Sequence, residues 1–336
     1  MRENLEQLLA YKPPSSDDLN LATNENFSIK YATLMNATLD ALMKNSELNQ
    51  YGQSAHSELK EKYANYIHAT PEQILPAPGS ESLIAVLLNA FVTDAVLTFD
   101  TDFFRYEEMA YILAKKHVSV EIAKGIPGLI EATKTAKINL IMLSNPNNPL
   151  GIIHPEAQLI KLLDETDCHV VIDEAYGEYY GKSMTHLLDK YPKLIILKTM
   201  SKAWGLAGLR VGFMVANEPL VTYVEAVQGP FVLSDLNANI AALVIEQVEA
   251  MRQTVETTKE VRADFMRFLK PYDVEVCPSE ANFVYLKTPQ AKQIADELLK
   301  AKIAVAARVD GLRITIGTFE QMTLVKSHLE SLLDPK

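Results

Sequence analysis

NLIMLSNPNNPLGIIHPEAQLIKLLDETDCHVVID, residues 139–173, decides the fold class. Asn139–Ser144 is an apolar run that ends in a turn rich in proline and asparagine, which predicts a buried strand and a sharp exit from it. Glu156–Thr166 then spaces its leucines at helical intervals, and His169–Asp173 is a second apolar run. Strand, helix, strand over so short a distance predicts parallel neighbours joined by a crossover helix. The alternation extends in both directions. Strands are expected at Ala95–Phe99, Val118–Ile122, Leu194–Lys198 and Leu209–Ala216, and helices at Glu81–Phe91, Phe104–Lys116 and Pro219–Val227. The expectation is an α/β fold whose mostly parallel sheet is covered on both faces. The link from Lys198 to Leu209 is too short for a helical crossover, so the last strand should run antiparallel.

Beyond residue 235 the pattern changes. Asn239–Leu269 carries apolar residues at three- and four-residue spacing and predicts one long helix or two. Strands near Val274–Cys277, Asn282–Leu286 and Leu312–Ile316 alternate with helices near Pro289–Ala301 and Glu320–Leu333, which reads as a small α+β unit. The expected organisation is an N-terminal arm over residues 1–30 packed near the small unit, a large domain over 31–235 and a small domain over 236–336.

The chain has 336 residues and a formal charge of −11, which disfavours nucleic acid or an anionic membrane as the main partner while leaving room for a local anion pocket. The first residues carry acids early and lack the apolar core of a signal peptide, and no apolar run reaches the length of a membrane span. Cys168 and Cys277 lie far apart without Cys-x-x-Cys spacing and are expected to be reduced thiols. A cytoplasmic enzyme is the expectation.

In sheets of this kind ligands gather at the carboxyl ends of the strands. Four unusual local sequences fall there: Pro78-Gly-Ser-Glu81, Asn145-Pro-Asn-Asn-Pro-Leu-Gly151, Asp173-Glu-Ala-Tyr176 and Thr199-Met-Ser-Lys202 with Gly205, Gly208 and Arg210 behind it. Singly each has an ordinary explanation, as a turn, a helix cap or a solvated lysine. Together they suit a cofactor that carries an aldehyde and a phosphate. Lys202 supplies the amine; Thr199, Ser201 and Arg210 supply phosphate donors. Gly79 permits close backbone approach, and the amides of Ser80 and Glu81 at a helix N-terminus favour an anion. Asp173 suits a pyridinium nitrogen, and Asn148 and Tyr176 suit a phenolic oxygen on the same ring.

The order Asn-Pro-x-Asn-Pro-x-Gly, Asp-x-x-Tyr, Ser-Lys-x-x-Gly-x-x-Gly-x-Arg resembles the class I/II aminotransferases, enzymes of fold type I, like aspartate aminotransferase. Within them the chain is most similar to the histidinol-phosphate aminotransferase subgroup. Leu21-Ala-Thr-Asn-Glu-Asn26, Met200-Ser-Lys-Ala-Trp-Gly-Leu-Ala-Gly-Leu-Arg210, Ala281-Asn-Phe283 and Leu312-Arg-Ile-Thr-Ile-Gly-Thr318 carry that likeness, which runs from about Leu5 to about Leu332. The resemblance implies pyridoxal 5'-phosphate as cofactor, with Lys202 joined to its aldehyde and acting as the general base. It implies that Arg313 binds the substrate α-carboxylate and that Tyr106 stacks on the cofactor ring. Tyr51 would reach the phosphate of a partner subunit's cofactor, which makes a homodimer with shared sites. Asn24 would close over the substrate, and Tyr11 would join Arg313 at the donor's phosphate. Trp204 stands where phenylalanine is more usual and is expected to pack beside the site.

The reaction implied is a ping-pong transfer from an amino donor, histidinol phosphate, to 2-oxoglutarate. Three positions depart from the subgroup. Leu150 replaces a small threonine, Phe231-Val-Leu-Ser234 stands where a tyrosine and asparagines are usual, and Ala306 replaces an arginine. Arg308 would share a strand face with position 306 and could restore the charge. Three further readings stay open at this point: an aminotransferase for aromatic or other amino acids, a decarboxylase of a phosphorylated amino acid, and a binding protein on the same fold.

Overall fold

The computed structural model describes residues 12, 14–16, 18–29, 31, 51, 54–308 and 310–336; Tyr11 lies outside them. In chain order the elements are β1 (Leu19–Asn20), α1 (Ser54–Ile67), β2 (Ile74–Ala77), α2 (Ser80–Phe91), β3 (Ala95–Phe99), α3 (Arg105–Ile112), β4 (Lys116–Val120), α4 (Gly125–Thr135), β5 (Leu140–Ser144), α5 (Glu156–Glu165) and β6 (His169–Asp173). There follow α6 (Gly177–Tyr180), β7 (Leu194–Thr199), β8 (Gly212–Ala216), α7 (Glu218–Gln228), α8 (Asp235–Ile245) and α9 (Val248–Leu269). The chain ends with β9 (Glu275–Val276), β10 (Phe283–Lys287), α10 (Ala291–Lys300), β11 (Ile303–Ala304), β12 (Ala306–Ala307), β13 (Gly311–Thr315) and α11 (Phe319–Leu329).

Seven strands form the large sheet in the order β2-β8-β7-β6-β5-β3-β4. The pairs from β7 to β4 are parallel, and β8 runs antiparallel to both β7 and β2, as the short link after Lys198 predicts. Alternation along the strands divides the buried side chains between two faces. Leu97, Ile141, Ile172 and Ile196 face a core covered by α1, α4, α5 and α8. Val96, Met142, Val171 and Leu197 face a second core covered by α2, α3 and α7. The result is a three-layer α/β/α sandwich, with Cys168 free and buried.

The smaller unit holds a four-stranded antiparallel sheet in the order β12-β13-β10-β9, backed by its own core of Val284, Ile314, Phe265 and Leu298. The N-terminal strand β1 pairs in parallel with β11, and Leu21 O accepts from both the amide and the hydroxyl of Thr315. The division drawn at residue 236 falls ahead of most of α8, whose buried Ala238, Ala241 and Val244 lie in the large core. Helix α9 passes from one core to the other: Met251 and Val255 pack in the large one, Val261, Phe265 and Leu269 in the small one.

Several elements escaped the sequence pattern for identifiable reasons. β2 is a four-residue edge strand containing Pro76, and proline is tolerated only where no ladder donor is needed. α1 buries a narrow stripe of Ala55, Leu59, Tyr63 and Ala64 on an otherwise polar helix. α4 opens with Gly125, Pro127 and Gly128, which read as a loop, although proline is acceptable in a first helical turn.

One buried ion pair crosses the end of the sheet. Lys198 Nζ on β7 lies 2.7 Å from Glu174 Oε2 just after β6, with side-chain exposures of 6% and 2%. Glu174 Oε1 also accepts from the amide of Met184 at 2.7 Å. Lys198→Met leaves the carboxylate buried and uncompensated, so urea unfolding should show a loss of about 3–5 kcal/mol. Glu174→Gln in the same chain keeps the acceptor for Met184 and should recover most of that loss. Unchanged stability in the single variant would refute the pairing.

Candidate active site

The loops that leave β3, β5, β6 and β7 at their carboxyl ends converge on a cavity of about 370 Å³. The N-terminus of α2, the segment Ala22–Asn24 and Arg308 and Arg313 of the small unit complete its wall. Both units therefore contribute to one site, and most of the residues singled out from sequence meet there.

One end is built for an anion. Gly79 has φ +80, and a Cβ on it would lie 2.5 Å from Nη2 of Arg210, so the guanidinium occupies the room that the missing side chain leaves. A Cβ on Gly212 would lie 2.2 Å from the amide nitrogen of Ser80, so β8 also approaches the start of α2 closely. Ser80 and Glu81 open that helix, where amides have no carbonyl one turn back to bond. Thr199, paired in register with Gly212, accepts from the Ser201 amide at 3.1 Å, and Arg210 Nη1 donates to Ser201 Oγ at 3.4 Å. Ser80, Thr199, Ser201 and Arg210 thus line one end of the cavity together.

Asp173 ends β6 with its carboxylate buried. Oδ2 accepts from the hydroxyl of Tyr106 at 2.9 Å and Oδ1 from the amide of Ala175 at 3.0 Å. Burial pushes its pKa up to about 6 despite these donors, and among the described residues no cation lies within ion-pair distance of it. Tyr106, expected to stack on the cofactor ring, takes a place under that carboxylate. The tyrosine is 1% exposed in the core beneath the sheet end, because its hydroxyl is drawn to Asp173, and it does not line the cavity. Phe103 and Phe104, on the loop before α3, do.

Lys202 also lines the cavity, with Nζ donating to the carbonyl of Thr23 at 2.7 Å. Withdrawal from solvent, then the charges of Arg313 and Arg210, lower its pKa to about 8 against the opposing pull of Glu25 and Glu81. Trp204, two residues on, is fully buried and meets Tyr66 edge-on at 5.0 Å.

The opposite end is held by bonds between the two units. Arg313 on β13 is buried, and its Nη1 donates to Asn148 Oδ1 at 2.5 Å while Nη2 donates to the carbonyl of Ala22 at 2.6 Å. Asn24, with φ 58, donates through Nδ2 to the Tyr176 hydroxyl at 2.8 Å and is tied to Thr315 through its amide at 3.1 Å. Ala306 pairs with Arg313 across β12 and β13, and Arg308 lies just beyond that strand with its guanidinium 5.7 Å from the Phe104 ring centroid. Arg308 lines the cavity.

Two of the departures from the subgroup lie elsewhere. Leu150 is buried against Cys277 and Tyr285, outside the cavity lining. Phe231 is 50% exposed and stacks on Tyr51, itself 81% exposed, with centroids 4.5 Å apart, so neither residue reaches the cavity of its own chain. Ser144, Phe103, Phe104, Arg105 and Thr23 line the cavity without having been singled out from sequence. The signal for the loop residues was present: β3 ends on the same side as β5 and β6, so whatever follows it must face the site.

Residues 16–329 match the family of class I and II aminotransferases. Over 345 residues the chain is 30% identical to a histidinol-phosphate aminotransferase of Clostridium kluyveri, covering 99% of this chain and 98% of that one. It superposes with a TM-score of 0.88 and 20% identity on the histidinol-phosphate aminotransferase of Sinorhizobium meliloti in complex with pyridoxal-5'-phosphate, covering 99% and 98% of the two chains. The L-threonine-O-3-phosphate decarboxylase of Porphyromonas gingivalis shares the fold as well, at a TM-score of 0.80 and 19% identity over 94% of this chain and 99% of the other. With a shared sheet topology, a lysine, aspartate and arginine converging on one cavity, and a family match across nearly its whole length, this chain belongs to the class I and II aminotransferases.

Proposed function

We propose that this aminotransferase takes histidinol phosphate as amino donor and 2-oxoglutarate as acceptor, in a ping-pong cycle carried out by a cytoplasmic homodimer. The observation that carries the reading is the pair Arg308 and Arg313 on one wall of the cavity. Histidinol phosphate has no carboxylate, so its phosphate needs a guanidinium at the end where an amino acid would place its α-carboxylate. Arg313 serves the carboxylate of the acceptor by the same fork, and Arg308 supplies the charge that Ala306 lacks. The relative from Clostridium kluyveri supports the same donor. Tyr51, exposed and stacked on Phe231, supports a site shared with a second copy, which it would enter at the phosphate. Tyr11 would add a hydroxyl at the donor phosphate.

The enzyme works with pyridoxal 5'-phosphate, and the donor set fits that group. A cradle that a Cβ on Gly79 or Gly212 would fill suits the phosphate, held by the amides of Ser80 and Glu81 and by Thr199, Ser201 and Arg210. A buried carboxylate without a cation suits a pyridinium nitrogen, so Asp173 would keep the proton there. Asn148 and Tyr176 would bond the phenolic oxygen. When bound, the cofactor supplies an aldehyde that exchanges amines and a ring that spreads the charge of a developing carbanion.

The chain's own groups do the rest. Lys202 would hold the cofactor through its amine and, when that amine is free, would act as the general base at the donor Cα. Its lowered pKa leaves a useful fraction of free amine near neutral pH. Arg313 and Arg308 orient the donor by its anion, and Asn24 covers it from the N-terminal segment. A second reading, transfer from an aromatic amino acid, is favoured by Phe103 and Phe104 in the cavity wall. Single-turnover spectra of the loaded enzyme separate the two. Rapid loss of the visible band with both histidinol phosphate and glutamate supports the first; loss with aromatic amino acids, while histidinol phosphate is inert, supports the second. Decarboxylation, which the shared fold of the Porphyromonas gingivalis enzyme brings up, would proceed without any 2-oxo acid.

Lys202→Ala should lower turnover by about three orders of magnitude or more while the cofactor still binds without a covalent link. Full activity in that variant would sink the assignment. Arg308→Ala should raise KM for histidinol phosphate about tenfold or more, the loss of one charge-assisted bond, with a smaller effect on glutamate. An unchanged KM for the phosphorylated donor would reject its role. In the cofactor-free protein the amine of Lys202 becomes neutral as pH rises through about 8. The rate of pyridoxal 5'-phosphate uptake should therefore climb to a plateau above that pH. In Arg313→Gln, which removes a cation that lowers the pKa, the midpoint should move upward. A midpoint near that of an ordinary lysine in the parent protein would contradict the electrostatics.

A further inference from the structure

Asp102 is a partly buried carboxylate that neither the sequence motifs nor the reaction uses. It follows β3 and turns back onto the end of β5. Oδ1 accepts from the amide of Phe103 at 2.8 Å, and both oxygens accept from the amide of Ser144, at 3.3 and 3.2 Å. The hydroxyl of Ser144 donates to Oδ1 as well. With its proton given to Oδ1, the Ser144 oxygen keeps a lone pair for another donor. That donor is the amide of Asn148, 2.9 Å from Ser144 Oγ. Asn148 in turn accepts from Arg313 Nη1.

We infer that Asp102 is a positioning residue, the anchor of a relay through Ser144 to Asn148 and Arg313 that sets both for cofactor and substrate. The inference rests on the roles proposed above for Asn148 and Arg313. The relay joins the loops after β3 and β5 of the large sheet to the small one, and each link has a single direction. Without its anchor the Ser144 hydroxyl is free to turn, the Asn148 amide loses a fixed acceptor, and the Asn148 side chain no longer meets Arg313 at one distance. Burial raises the Asp102 pKa to about 7, with the Asp173 charge adding to it, against the pull of the Ser144 and Phe103 donors. Oδ1 accepts from all three donors and Oδ2 shares only the Ser144 amide, so Asp102→Asn keeps the acceptor for Phe103 and for the Ser144 hydroxyl and gives up only the Oδ2 half of that shared bond.

The experiment titrates pyridoxal 5'-phosphate into the cofactor-free full chain and measures the donor KM, kcat and the pH midpoint of the visible band once loaded. Asn148→Ala serves as the reference. Asp102→Ala and Ser144→Ala should each raise the cofactor Kd and the donor KM by about tenfold, the equivalent of one buried hydrogen bond, with kcat changed less. Both should move the pH midpoint of the band, which a loss of stability alone leaves in place. The double variant should be no worse than either single one, because both cut the same chain. Asp102→Asn should return Kd and KM to within about threefold of the parent, a difference well under one such bond. If Asp102→Ala fails to fold, Ser144→Ala and Asp102→Asn carry the test. Weakening in Asn148→Ala without weakening in the other two overturns the relay and leaves the site reading intact. No effect in Asn148→Ala overturns both, and additive losses in the double variant, or equal losses in Asp102→Asn and Asp102→Ala, overturn the relay.

Discussion

Asp173 ends a strand that is buried from Val170 onward, its carboxylate accepting from Tyr106 and Ala175 but within ion-pair distance of no cation among the described residues. A charge withdrawn from water is disfavoured unless it is partnered, and this carboxylate lies in the wall of the cavity. That requirement organises what surrounds it. The loop after β3 gives the aromatic wall and α3 sends Tyr106 beneath the carboxylate. The loop after β7 returns Lys202 to the same space, where burial and two arginines depress its basicity. The chain as a whole is strongly acidic, yet the cavity collects Arg210, Arg308, Arg313 and Lys202. A local field, rather than the net charge, decides what enters.

The second dependence is on the seam between the two sheets. Arg313 belongs to the small sheet, and its two described hydrogen bonds go to Asn148 of the large unit and to the N-terminal segment. Asn24 bonds Tyr176 on one side and Thr315 on the other. Moving the small unit would therefore break the bonds of Arg313 and of Asn24 together. Helix α9, twenty-two residues long, packs in both cores and so ties the two units together.

Polar groups are placed under the site at a cost to stability. Lys198 and Glu174 form a pair just behind the loop of Asp173 and Tyr176, and Asp102, its pKa pushed up to about 7 by burial, is bonded by three donors. Apolar substitutes would pack at least as well in such positions. What the polar groups add is direction: each fixes the orientation of a backbone or side chain that an apolar contact would leave free to rotate.

The sequence by itself determined the alternation of strands and helices, the antiparallel turn of β8 and the gathering of motifs at strand ends, because these follow from local periodicity and link length. Lys202, Asp173, Asn148 and Arg210 were legible because each stands in a short run whose chemistry is unusual for a turn, whereas Arg313 was named only through the family resemblance. Only the tertiary structure decided which neighbours face the cavity. Tyr106 and Phe104 are two residues apart on one loop and helix start, and nothing in their spacing tells which ring turns outward; the Asp173 carboxylate draws the tyrosine inward. Leu150 looked like a change in the site and proves to be core, because the loop after Pro149 turns its side chain toward Tyr285. Ser144 and Asp102, forty-two residues apart, meet only because β3 and β5 are neighbours in the sheet. Strand order is set by the packing of all the helices at once, a long-range balance that no single stretch of residues contains.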